Sequence, residues 1–253
     1  MIQEGISMEP FYCQTYTLKS TDCDCFGRLK PSALLGFLQE IAGNHCKGTP
    51  ASWDALAEKN LFFAITRQRV QITRLPMAGE TITLETWPGV TTKVAYPRST
   101  VARDAQGNEV FRAISLWVLM DLTNRGMVLP GKSGVDLSGS VRGGELPVPP
   151  SIGPAALACA QTRQVRFTHL DRNGHMNNTC YMDWVQDLLP GVFHREHPLA
   201  DFSISYLSEA MERQQVTLHH ELGSDGQLQV NGVLESGGEE KPRRIFAVRC
   251  AYL

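Results

Sequence analysis

No run in this chain approaches 18 consecutive apolar residues, so the sequence holds no candidate membrane-spanning helix. Nor does Met1-Ile2-Gln3-Glu4-Gly5-Ile6 have the basic region and apolar core of a secretory leader. Net charge is nearly absent too. A formal −2 gives no bulk attraction to nucleic acid, and any anionic partner must be met by a local patch. The seven cysteines are odd in number and irregular in spacing, which argues against a disulfide framework. Cys23-x-Cys25 lacks the CxxC spacing of a zinc knuckle or redox pair, so reduced thiols in a cytoplasmic protein are expected. HExxH, GxSxG, Walker A and GxGxxG are all missing, and with them the zincin, serine-hydrolase, P-loop and dinucleotide readings.

What is present is the composition of an ordinary globular protein, 42% hydrophobic and 20% charged over 253 residues. That length accommodates one or two units, each able to bury a modest core. Two basic clusters stand out, Arg67, Arg69 and Arg74, and Lys241, Arg243, Arg244 and Arg249. Both read as solvated strand faces.

The most informative stretch is Thr168-His169-Leu170-Asp171-Arg172-Asn173-Gly174-His175-Met176-Asn177-Asn178. A carboxylate, a carboxamide and an imidazole occupy every second position, and a helix is expected from Asn178 to Leu189. Such a set can orient water, hold an oxyanion and move a proton. The competing reading is a surface turn, which Asp, Asn and Gly favour for local hydrogen-bonding reasons. A calcium loop fits poorly, because His175 and Met176 replace the expected acid and glycine and Met182 stands where the last glutamate belongs.

The first half carries a degenerate copy. Thr21, Asp24 and Gly27 stand 147 positions before Thr168, Asp171 and Gly174. The helical stripe Leu34, Phe37, Leu38 and Ile41 maps onto Tyr181, Trp184, Val185 and Leu188 at the same offset. Further on, Ile82-Thr83-Leu84 matches Val216-Thr217-Leu218 at an offset of 134, which sets Leu75 opposite Glu209. Phe26, Arg28 and Leu75 therefore stand where the second copy has Asn173, His175 and Glu209. An inward-facing carboxylate is costly unless paired or used, which makes Glu209 a candidate beside Asp171, Asn173 and His175.

The expected organisation is an N-terminal unit over residues 1–130, a Gly/Pro-rich linker over 131–154, and a C-terminal unit over 155–253. The first unit reads as a strand at Tyr12–Leu18, helices at Ser32–Ala42 and Ser52–Glu58, and about four hairpin-linked strands. The second repeats that plan, with a strand near Arg163–Thr168 before its turn and four strands after its helix. This is an α+β chain with antiparallel sheet.

At this point the residues resemble a known family, the acyl-acyl carrier protein (acyl-ACP) thioesterases. The markers are Leu38-Gln39-Glu40 with Asn44-His45, Asn60-Leu61-Phe62 through Thr66-Arg67, Leu84-Glu85-Thr86-Trp87-Pro88, Ser115-Leu116-Trp117-Val118, and Asp171-x-Asn173-x-His175-x-Asn177-Asn178-x-x-Tyr181. The resemblance implies tandem hotdog units, each a long helix wrapped by an antiparallel sheet, with the active site in the second and the acyl-chain pocket shaped by the first. It implies a catalytic set of Asp171, Asn173, His175 and Glu209, and an acyl carrier protein bearing a fatty acyl chain as partner. No cofactor or metal is called for. Plant members have a cysteine directly after the glutamate where Ala210 stands here, so cysteine catalysis at that position is excluded. The missing plastid leader favours a bacterial enzyme. The expected reaction is water attack on a thioester, with Asn173 and N–H groups at the start of the following helix holding the carbonyl oxygen. A coenzyme A thioester hydrolase and a non-catalytic acyl-binding protein are the alternatives, and monomer and homodimer both fit the plan.

Overall fold

A computed structural model of the chain describes residues 8–137, 139–235 and 242–253. Lys241, one of the second basic cluster, and the opening residues Met1 to Ile6 lie outside them.

Strand β1 (Tyr12–Thr17) leads through a tight turn into helix α1 (Pro31–Cys46), and Ser52 caps the short helix α2 (Trp53–Glu58) by accepting from the Ala55 N–H. Four strands follow, β2 (Leu61–Ile72), β3 (Thr81–Pro88), β4 (Tyr96–Asp104) and β5 (Glu109–Asp121), then β6 (Met127–Val128) and the single-turn α3 (Pro130–Ser133). The second half has β7 (Cys159–Gln164), α4 (Cys180–Gln186), α5 (Gly191–Glu196), β8 (Leu199–Tyr206), β9 (Gln215–Leu222), β10 (Gln227–Leu234) and β11 (Arg243–Tyr252).

All strands join one antiparallel sheet in the order β1-β3-β4-β5-β2-β8-β11-β10-β9-β7, with β6 paired to β5. Read from either end the order is the same once β1–β5 are matched with β7–β11. The seam is β2 against β8, where Arg69 pairs with Ser203, 134 positions later. A residue on a twofold axis pairs with its own counterpart, so the repeat offset places a pseudo-twofold axis at this pair. Both offsets hold elsewhere: Gln14 opposes Leu84 in the first copy, and Gln161 opposes Leu218 in the second.

Apolar side chains from both halves form one contiguous core, from Leu34, Leu38, Ile41 and Phe111 to Trp184, Phe202 and Phe246. The α+β class and the antiparallel sheet wrapped about a helix in each half agree with the sequence. Several details differ. Helix α1 runs one turn past Ala42, because Gly43 and Asn44 do not interrupt a stripe that continues through His45 and Cys46 to buried positions. In the second half the helix expected over Asn178–Leu189 is shorter, α4 ending at Gln186, and a further short helix, α5, begins beyond Pro190, whose ring cannot continue the first. Strand β7 sits earlier than expected, ending at Gln164. The Gly/Pro-rich segment is no loose tether. Val135, Leu137 and Ile152 are buried, Arg67 donates to the Pro149 carbonyl at 2.9 Å, and Ile152 N–H donates to Ser205 Oγ at 3.1 Å. Gly139 passes so close to Pro88 that a Cβ there would overlap its carbonyl oxygen.

Candidate active site

The polar segment is a turn, and the same turn occurs twice. Asp171 Oδ1 accepts from the N–H groups of Asn173 at 2.8 Å and His175 at 3.3 Å, and Asp24 Oδ1 accepts from those of Phe26 and Arg28 at 2.8 and 3.0 Å. Gly174 and Gly27 each sit at φ 77°, a left-handed conformation that favours glycine. Turn chemistry therefore accounts for the survival of Asp24 and Gly27 in the copy that lost the amide and the imidazole. The first copy is filled by its own substitutions. Arg28 binds Asp24 at 3.2 Å, stacks on Phe26 and donates to the His194 carbonyl.

After the turn, His175 forms an antiparallel bridge with Met211, and Met176 N–H donates to the Ala210 carbonyl at 2.8 Å. Alternation along such a ladder sends His175 and Glu209 to one face and Met176 and Ala210 to the other. Ala210 is fully buried in the core. On the opposite face His175 Nδ1 lies 3.4 Å from Glu209 Oε1. The first copy has the matching bridge between Arg28 and Met77, with Leu75 packed against the core in place of Glu209.

Asp171, Asn173, His175 and Glu209 line one cavity of about 740 Å³, within the ~300–1,000 Å³ typical of small-molecule sites. All four candidates thus come together. Most of the remaining wall comes from the first unit. A bulge at Thr66 breaks the alternation of β2, and Phe62 through Thr66 all reach the cavity. Trp117, Val118 and Met120 add to that wall. Helix α1 contributes Gln39, Ala42, Gly43 and Cys46, the stripe opposite the one read as buried. Leu34, Leu38 and Ile41 belong to the core instead.

The first-unit wall also holds a buried polar group. Arg98 donates to His45 Nδ1 at 2.9 Å and approaches Cys46 Sγ at 3.6 Å, while His45 Nε2 meets the Glu9 carbonyl. Burial pushes the Cys46 thiol up and, with the Arg98 charge second, lowers the His45 imidazole. Cys46 is therefore a poor nucleophile despite its place on the wall.

Helix α4 has seven residues and starts at Cys180, later than expected, and two N–H groups at its entrance are engaged locally: Asn177 Oδ1 accepts from Thr179 N–H, and the Asn177 carbonyl accepts from Cys180 N–H.

Sequence reasoning missed Arg125. It sits in the turn between β5 and β6, at φ 57°, and reaches across from the first unit. Its Nη2 lies 3.4 Å from His175 Nε2, its Nη1 3.7 Å from Glu209 Oε1, and its guanidinium lies over the Phe62 ring. Nothing local in Thr123-Asn124-Arg125-Gly126 distinguishes this arginine from any turn cation. Arg243, read as part of a solvated cluster, also borders the cavity and donates to the Glu209 carbonyl at 3.4 Å. The other cluster is engaged structurally, Arg69 with Asp201 and Arg74 with Glu80 and Asp104.

Residues 9–129 match the model of the acyl-ACP thioesterase N-terminal domain, and residues 157–246 that of the C-terminal domain. The chain belongs to the acyl-ACP thioesterase family. A chloroplastic palmitoyl-acyl carrier protein thioesterase of Gossypium hirsutum is 22% identical over 276 residues, covering 100% of this chain and 61% of its own. A chloroplastic dodecanoyl-[acyl-carrier-protein] hydrolase of Cinnamomum camphora is 27% identical, over 70% of this chain and 50% of its own. The chain thus spans about half to three-fifths of these curated relatives. Among solved structures, an acyl-ACP thioesterase from Bacteroides thetaiotaomicron superposes with a TM-score of 0.81 at 20% identity, covering 96% of this chain and 98% of that one. The 12:0-ACP thioesterase of Umbellularia californica gives 0.77 at 21%, covering 97% and 98%. These likenesses establish the hotdog fold for this family member. No helix among its described residues is long and apolar enough to cross a membrane.

Proposed function

We propose that the chain hydrolyses acyl-ACP thioesters to free fatty acid and ACP by attack of water on the thioester carbonyl. The observation that carries this reading is the shared cavity, with Asn173, His175 and Glu209 of the second unit facing apolar walls built mainly by the first. An acyl tail belongs against such walls, and its carbonyl among the polar groups. His175 takes the proton of the attacking water while Glu209, 3.4 Å from Nδ1, stabilises the imidazolium that forms. The Asn173 carboxamide donates to the carbonyl oxygen as charge develops. Collapse of the tetrahedral adduct breaks the C–S bond, and the proton held by His175 passes to the departing thiolate. Asp171 shapes the turn that presents Asn173 and His175, and its carboxylate borders the same cavity.

In this reading residues 1–130 form the acyl-binding unit, 131–154 a packed strap and 155–253 the unit carrying the reactive groups. Seven thiols fit a reducing, cytoplasmic setting. The test is a panel of acyl-ACPs of varied chain length, with free fatty acid as readout and the same acyl groups on coenzyme A for comparison. Preference for ACP supports the reading, and preference for coenzyme A replaces the carrier. His175→Ala should lower turnover by about 10²–10⁴. No hydrolysis of any acyl-ACP by the wild type, with acyl-ACP still bound, would favour an acyl-binding protein instead.

A further inference from the structure

The His175–Glu209 pair comes from the second unit, yet among the described residues the cation in contact with both side chains, Arg125, comes from the first. Arg125 is carried on the β5–β6 turn, which its own backbone fixes. Asp121 N–H donates to the Gly126 carbonyl, Arg125 N–H donates to the Asp121 carbonyl, and Asp121 Oδ1 accepts from Thr123 and Asn124 N–H. Hydrogen bonding from those N–H groups holds the Asp121 carboxyl below its usual range, so the turn keeps its charged acceptor at neutral pH. Phe62 supports the guanidinium from below at 5.1 Å.

A guanidinium has five N–H donors and no acceptor. The contact between Arg125 Nη2 and His175 Nε2 at 3.4 Å therefore has one sense, with Nε2 accepting. A neutral imidazole has one N–H, which must then reside on Nδ1. Nδ1 is the nitrogen that faces Glu209. The cation and the carboxylate select the same tautomer from opposite sides of the ring, and the tautomer leaves the basic lone pair on Nε2, at the cavity.

We propose that Arg125 is a positioning residue of the active site, holding His175 in the Nδ1–H tautomer with Nε2 basic and Glu209 aligned behind it. This rests on the reading of His175 as the acid–base group. It also gives the first unit a part in the chemistry as well as in the acyl pocket, because the tautomer of the second unit's histidine is set by the first unit's arginine. Entering water or the thioester takes over the 3.4 Å contact at Nε2 while the proton remains on His175 Nδ1, directed at Glu209, so the tautomer that Arg125 sets in the free site is the one that meets the substrate.

The test uses the full chain with Arg125→Asn and Arg125→Lys. Asparagine tolerates the positive φ of this position, so the first variant removes the guanidinium with little backbone cost. Lysine restores a donor of the same charge. Hydrolysis by Arg125→Asn should lose about 10²-fold in kcat, the lower end of what a positioned proton-transfer group contributes, with KM nearly unchanged. Arg125→Lys should recover part of that loss, and added guanidinium ion should partly rescue Arg125→Asn. Nitrogen-15 NMR of the His175 ring supplies a readout independent of turnover. The wild type should show the Nδ1–H form, and Arg125→Asn a mixture with Nε2–H. An unchanged tautomer in Arg125→Asn, or a loss confined to KM, overturns the proposal. Absence of hydrolysis by the wild type with the tautomer shift intact would instead count against the hydrolase reading alone.

Discussion

At the scale of single residues, Asp171 shows how a site residue and a turn residue can be one. Its Oδ1 is occupied by two backbone N–H groups, the pattern that Asp24 repeats where nothing reactive remains. Asp171→Ala removes both acceptor contacts. A hydrogen bond to a charged group is worth about 1.5–3 kcal/mol, so this variant should lose stability as well as activity. Asp171→Asn keeps an oxygen at Oδ1 and removes only the charge. It should melt near the wild-type temperature and lose about 10² in turnover if the carboxylate also acts on the reaction. Full activity in Asp171→Asn, measured with a good acyl-ACP, would reduce Asp171 to its turn role and leave Asn173, His175 and Glu209 as the reactive set.

At the scale of elements, helix α1 has two faces with different tasks. Leu34, Leu35, Leu38 and Ile41 are sealed in the core, and truncating any of them to alanine should cost about 2–5 kcal/mol. Ala42, Gly43 and Cys46 face the cavity, and no atom lies within 4 Å of a Cβ built on Gly43. Replacing Gly43 or Ala42 by leucine fills space that an acyl tail would occupy and leaves the core intact. One methylene in such a pocket is worth about 1–3 kcal/mol, so the preferred chain should shorten by a step or more with kcat on the new best substrate largely kept. Chain-length profiles that do not respond to these changes would remove the first unit from the acyl pocket. Equivalent bulk beside Asn173 should lower turnover on every chain length.

At the scale of the whole molecule, the β2–β8 seam decides whether the units act as one body. The Arg69–Asp201 ion pair across it is partly exposed and contributes about 0–1 kcal/mol. Val70 and Phe202, paired on the seam and fully buried, contribute about 1.5–3 kcal/mol each, as does Ile204. Apolar burial, not charge, holds the halves together, and the core is continuous from one to the other. Urea unfolding followed by far-UV circular dichroism and by tryptophan fluorescence should therefore give one coincident transition, since Trp87 and Trp117 report on the first unit and Trp184 on the second. Two separated transitions would show that the seam does not couple them.

Much of this was written in the order of residues. The alternation of strands, the two apolar helical stripes and the offsets of 147 and 134 are local patterns, and local patterns follow from periodicity and turn chemistry alone. The same offsets set Glu209 opposite Leu75 and made it a candidate, but the bridges at Met77 and Met211 that bring it beside His175, with its side chain still half exposed, belong to the fold. The sequence could not place Arg125, because its importance lies in a contact between residues 50 apart that belong to different units. Nor could it tell which stripe of α1 meets the cavity. Apart from Gln39, both stripes are apolar or small, and only the packing of the sheet around the helix chooses between them. Side-chain type and spacing determined which groups were available for chemistry. Tertiary structure decided which of them meet, because proximity across one continuous sheet depends on strand register and seam geometry that no single segment encodes.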